Sequence, residues 1–99
     1  MKRINWSEGA IADLESTLEY ISLESPQNAA LVKNRIMQSL KNLEFFDLGT
    51  PAPNGTFKLY LPKTSYFVIF RKHGQDAITL CAFIHSSRDW EKFNWDKLV

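Results

Sequence analysis

Cysteine is nearly missing from this chain. The single residue, Cys81, lies inside an apolar run, so no intrachain disulfide can form and packing alone must hold the fold. A lone thiol in that setting reads as a small buried hydrophobe, and its use fits a reducing cytoplasm. Long apolar runs are missing too: none approaches the roughly 18 residues of a membrane span. Met1-Lys2-Arg3 is followed by Ile-Asn-Trp-Ser-Glu rather than by the apolar core of an export signal, so a soluble cytoplasmic protein without a membrane partner is expected. A net charge of +1 removes any global attraction to nucleic acid or anionic lipid and leaves only local patches to provide it. The chain also lacks a phosphate loop, histidines at metal-ligand spacing and a nucleophile elbow, which excludes the familiar hydrolase classes and gives no reason to expect a metal or cofactor.

What remains is one domain's worth of sequence, 99 residues, against the roughly 100 to 150 of a typical single core. At 44% hydrophobic and 13% aromatic it has ample material for that core and is not a disordered chain. Its centre is 66–90. Tyr66 to Arg71 and Ala77 to His85 are rich in aromatic and β-branched side chains and too short for buried helices. Between them Lys72-His73-Gly74-Gln75-Asp76 has the length and chemistry of a hairpin loop.

Taken in order, Lys2, Ile4 and Trp6 share one face of a short first strand. Ser7 can cap a helix whose apolar stripe is Ala10, Ile11, Leu14, Leu18 and Ile21. Ser25-Pro26 restarts a second helix, because serine caps and proline at the first helical position loses no needed N–H. That helix runs to about Phe45 on a seam of Ala29, Val32, Ile36, Leu40 and Leu43. Gly49 to Gly55 holds two prolines and two glycines and reads as a loop. Phe57, Leu59 and Leu61 then alternate with Lys58 and Tyr60 in a strand that Pro62 ends.

The expected class is therefore α+β: an N-terminal strand, a helical hairpin and a three-stranded antiparallel meander, β-α-α-β-β-β in two layers, with 1–99 one domain and 86–99 a C-terminal tail. The first strand, separated from its partners by both helices, can pair in parallel with one of the later strands. Strand parity places His85 with Phe83, Cys81 and Thr79, opposite Ile78, Leu80, Ala82 and Ile84. If the aliphatic set faces the helices, His85 faces the open side of the sheet beside Lys58, Tyr60 and Arg71, with Arg88 following it. Such a patch suits an acidic segment or an RNA backbone, and a histidine is a side chain able to act as general acid or base in attack on a phosphodiester. The same residues can equally be solvated charges or tail-fixing contacts. Trp90 and Trp95, in a tail otherwise charged, are either a cap docked on the domain or anchors for a partner. Removing 90–99 is expected to leave the fold intact.

Several segments together resemble the ParE/RelE superfamily of bacterial toxin–antitoxin toxins. They are I-N-W-S, A-x-x-D-L and Y-I within 4–21, S-P-Q-N-A-A opening the second helix, L-G-T-P before a glycine-containing turn, S-Y-F-V-I-F-R, and I-H-S-S-R-D-W ending the last strand. The resemblance covers nearly the whole chain and implies the same helical hairpin on a small sheet. It also implies a toxin neutralised by a cognate antitoxin. His85 followed by Arg88 matches the C-terminal pattern of the ParE-like branch, whose members inhibit DNA gyrase, and implies target contacts by His85, Arg88, Trp90 and Trp95. The RelE-like branch, ribosome-dependent mRNA endoribonucleases, carries more cations on the central strands and a terminal tyrosine. Here that set would reduce to Lys58, Arg71, His85 and Arg88, with no tyrosine after Tyr66, so no catalytic residue is assigned. An inactive homologue that keeps antitoxin binding is the third possibility.

Overall fold

A computed structural model describes residues 1–90 and 92–98. Ser7, in extended backbone, accepts the Ala10 N–H on its side chain at 3.0 Å and so starts α1 (Glu8–Glu24). Ser25 does the same for Asn28 at 3.1 Å, with Pro26 at the first position of α2 (Pro26–Phe45). Both caps satisfy N–H groups that the helix itself leaves without acceptors. The strands are β1 (Arg3–Trp6), β2 (Thr50–Ala52), β3 (Thr56–Tyr60), β4 (Tyr66–His73) and β5 (Ala77–His85). They form one sheet in the order β1-β5-β4-β3-β2, parallel between β1 and β5 and antiparallel elsewhere.

One strand escaped the reading as a loop. Thr50–Ala52 pairs with Thr56 to Lys58 around a turn in which Asn54 and Gly55 both take positive φ. Its proline, Pro51, is tolerated because β2 is the sheet edge, where a missing N–H breaks no ladder. Gly49, just before it, has φ +98°, and a Cβ there would lie 2.7 Å from Phe70 Cζ. Only glycine fits both conditions.

A second difference reorders the faces of β5. Ile69 pairs with Ala82 but Phe70 with Leu80, leaving Cys81 as an extra residue. A β-bulge of this kind leaves two successive side chains on one side and inverts the parity beyond it. Ile78, Leu80 and Phe83 accordingly join Val68, Phe70 and the helix stripes in one core, whereas Cys81, Ala82 and Ile84 join Ile69 on the opposite face. His85 emerges on the helix side, opposite Tyr66 in the register, and the expected placement on the open face is overturned.

The open face is not open. Trp90, Phe93, Trp95 and Leu98 pack over Ile69, Cys81, Ala82 and Ile84, so the tail adds a third, partial layer to the two that were expected. Glu91 and Val99, counted in the tail by sequence, lie outside the described residues.

Beyond Leu80, β5 has no strand beside it on the β1 side, and α1 supplies what the ladder lacks. Ser7 donates from its backbone to Leu80 O at 3.0 Å and from its hydroxyl to Cys81 O at 3.3 Å. Asp13 accepts the Phe83 N–H at 3.1 Å. Desolvation raises the Asp13 carboxyl above its ordinary range, against the lowering effects of that N–H and of the Arg88 charge.

Two outcomes follow. Gly49→Ala should destabilise the fold by about 2–4 kcal/mol, through left-handed strain and collision with the buried Phe70 ring, read as a lower urea midpoint at unchanged m-value. Asp13→Ala leaves the Phe83 N–H without an acceptor and should lower stability by about 1 kcal/mol, whereas Asp13→Asn keeps an acceptor oxygen. Because the folded carboxyl titrates above its unfolded value of 3.8, its contribution to stability is present below that value and lost as pH rises through the folded pKa. Asp13→Asn, which cannot ionise, should therefore gain on the wild type across that same window in a pH series of urea melts.

Candidate functional site

The docked tail and the end of β5 carry the residues singled out by sequence. Trp90 and Trp95 stack at 5.8 Å with planes 25° apart, Phe93 meets Trp95 edge-on at 4.8 Å, and Phe67 of β4 meets Trp90 edge-on at 5.1 Å. These contacts favour edge and offset geometry because ring faces are electron-rich and ring edges are not. The alternative left open by sequence is thereby decided for the inner faces of Trp90 and Trp95: they cap the sheet. Cutting the chain at 90 would expose Ile69, Ala82 and Ile84, so such a truncation tests the fold as much as the function.

Lys58 and Arg71 lie on this tail-covered face, and both are engaged. The Lys58 ammonium stands 5.3 Å from the Trp90 ring centre and 6.0 Å from that of Phe67, an attraction that strengthens as water is excluded. Arg71 donates one guanidinium nitrogen to Asn54 O at 2.7 Å and another to Leu98 O at 3.1 Å. Asn54 in turn donates to the Asp96 carboxylate at 2.9 Å. The tail is thus tied at both ends of the β2–β3 hairpin by groups that read, in the sequence, as free cations. Nearby, Pro51, Pro53, Lys58, Trp90 and Trp95 border a shallow hollow of about 200 Å³.

His85 is on the other side of the sheet. Its Nδ1 lies 3.1 Å from the Ser87 N–H and 2.7 Å from the Ser87 hydroxyl. A backbone N–H can only donate, so Nδ1 is the acceptor and the neutral ring carries its hydrogen on Nε2. The ring meets Tyr66 edge-on at 5.2 Å. Arg88 follows in the turn, its N–H donating to His85 O at 3.0 Å and its guanidinium 5.6 Å from the Phe93 ring centre. The single neighbourhood expected for Lys58, Arg71, His85 and Arg88 is therefore divided: Lys58 and Arg71 lie under the tail, whereas His85 and Arg88, in and beside the turn, border one cleft.

Arg88 and Asp13 border a cleft of about 500 Å³ between the start of α1, the bare edge of β5 and the tail residues Asn94 and Lys97. Sequence reasoning passed over Asp13. The available signal was an acid directly beside the buried stripe residues Ala10 and Leu14. Cys81 lies under the tail, where burial raises its thiol above the ordinary range against the opposing effect of Arg71. That environment suits a packed side chain rather than a thiolate nucleophile. No group of His, Cys, Asp and Glu suited to a metal ion occurs among the described residues.

Comparison with known proteins gives this arrangement a family. Residues 4–90 match the family model of the ParE toxin of type II toxin–antitoxin systems, parDE. No match was found among curated proteins. A solved structure titled "Chromosomal ParDE TA system from P. aeruginosa" aligns with a TM-score of 0.74 at 24% identity, over 86% of this chain and 96% of that one, a likeness of fold. Since the family model spans the first strand, the helical hairpin, the meander and the turn as far as Trp90, the chain belongs to the ParE toxin family of type II toxin–antitoxin systems.

Proposed function

We propose that this protein acts in the cytoplasm as a toxin that inhibits DNA gyrase and is held inactive by a cognate antitoxin. One observation supports a binding protein over a ribosome-dependent nuclease: the cations Lys58 and Arg71, on which phosphodiester cleavage would draw, are occupied in holding the tail. His85, the proton-transferring candidate, is separated from them by the sheet. A nuclease built on that set needs such a group within about 3 Å of the oxygen it serves, on the same side of the sheet as Lys58 and Arg71, whose charge would meet the one that develops.

The surface presented to a target is then the outside of the tail and its turn. Arg88, Lys92 and Lys97 are exposed there, and Trp90 and Trp95 remain half-exposed beside them. Aromatic residues within a charged rim are the usual composition of an interface. His85, at the head of the same turn, borders this surface. An antitoxin has a separate place to bind. The helical hairpin exposes Tyr20, Leu23 and Leu31, at 68%, 80% and 51%, apolar surface of the kind a folding-on-binding segment covers.

In a supercoiling assay with purified gyrase, the wild-type protein should inhibit. Combined Arg88→Glu, Lys92→Glu and Lys97→Glu substitutions should weaken inhibition at least about tenfold, the equivalent of about 1.4 kcal/mol, with the thermal midpoint and antitoxin binding retained. If gyrase is unaffected while mRNA is cut at codons on the ribosome, and His85→Gln stops the cutting, the nuclease alternative replaces this reading. Loss of both activities with antitoxin binding intact would mark an inactive homologue. Saturating cognate antitoxin should raise the melting temperature, as binding to the native state alone requires. An unchanged midpoint would count against the antitoxin part of the proposal.

A further inference from the structure

On the side of the sheet away from the tail, the end of α1, the middle of α2 and the β3–β4 connection enclose a recess of about 420 Å³. We propose that it binds a phosphate monoester, with the phosphate held by Arg35, Lys63 and His85. The volume falls within the roughly 300–1,000 Å³ of small-molecule sites. Both fixed charges lining it are positive, and no Asp or Glu is among the lining residues. Among the described residues neither Arg35 nor Lys63 is in an ion pair.

The Arg35 guanidinium is held in place. Arg35 donates one guanidinium nitrogen to the Lys63 carbonyl at 2.9 Å, which ties α2 to the connection and leaves the rest of the planar fork for a ligand. Lys63 itself sits at φ +61°, a left-handed conformation unfavourable for a side chain of this type. The other non-glycine residue at positive φ among the described residues is Asn54, a type that adopts it readily. Lysine in a place suited to glycine or asparagine suggests that its ammonium is kept for use. His85 adds a neutral donor. With Nδ1 accepting from Ser87, Nε2–H is the donor on the opposite edge of the ring.

Charge and shape together select the ligand. Two cations and a neutral donor balance the dianion of a phosphate monoester, whereas a lone carboxylate would leave one cation uncompensated. Ile21, Val32 and the Tyr66 ring form the apolar part of the recess, a surface that inorganic phosphate would leave bare and an esterified organic group would cover.

The test is a titration of the ¹⁵N-labelled protein with AMP, inorganic phosphate and acetate, followed by amide shifts. AMP should produce saturable shifts at Lys63, Ser65, Tyr66 and His85, bind more tightly than phosphate, and leave acetate far behind. Lys63→Gly removes the ammonium while supplying the residue that the backbone favours. It should weaken AMP about tenfold, as expected for one charge-assisted contact, without lowering the melting temperature. Absence of saturable shifts, shifts centred on Lys58 and Arg71 instead, or unchanged affinity in Lys63→Gly would overturn the site. Equal affinity for AMP and inorganic phosphate would overturn the monoester assignment.

Discussion

The pairing of β4 with β5, and the extra residue it accommodates at Cys81, is the constraint on which the remaining structure depends. Both faces of this ladder are buried, one by helices and one by the tail, so its register decides which side chains go where. A regular β5 would send Phe83 toward the tail and Ile84 toward the helices. The bulge instead brings Phe83 against Trp6, with ring centres 5.7 Å apart, and so fastens β1 and the start of α1 to a part of β5 that no strand accompanies. It also turns His85 away from Lys58 and Arg71. One inserted residue thus shapes the core and disperses what would otherwise be a cationic cluster.

Charge in this protein is organised by burial more than by net balance. Lys58 and Arg71 lie where aromatic faces and backbone carbonyls take up their charge, and Lys72 at the end of β4 meets Asp47 at 2.7 Å and the Phe57 ring at 4.0 Å. Others, such as Arg88, Lys92 and Lys97, are exposed among the acids Asp89 and Asp96. A near-neutral chain of this kind has no long-range field that would attract polyanions indiscriminately.

The sequence made the local elements plain because each carried its own physical signal. Ser7 and the pair Ser25-Pro26 mark helix starts, the stripes from Ala10 to Ile21 and from Ala29 to Leu43 mark buried faces, and the alternation around Lys58 marks a strand. The possible parallel pairing of β1 came from connectivity alone and was realised with β5. Three features were not legible. Thr50–Ala52 lacks any strand signal, since Pro51 makes sense only once the strand is known to be an edge. The bulge leaves no mark in a run as uniformly apolar as Ala77 to Ile84, where parity arguments assume a regularity that nothing in the residues guarantees. The docking of the tail depends on a surface assembled from Ile69, Ala82 and Ile84, and without the bulge those residues do not form one patch. The misplacement of His85 and the undecided role of Trp90 and Trp95 therefore share a single cause.

The parallel contact between β1 and β5 also orders events during synthesis. Ile4 lies opposite Ile78 and Trp6 opposite Leu80, so the first strand to leave the ribosome has no neighbour until most of the chain has followed it. The helical hairpin, built from contacts close in sequence, can form early, but its apolar stripe stays uncovered until β4 and β5 emerge. The tail residues Trp90, Phe93, Trp95 and Leu98 dock only on a sheet that is already complete. The packing of the tail on Ile69, Ala82 and Ile84 is thereby the last contact layer to form, and the apolar residues of the helical hairpin are on the nascent chain well before it.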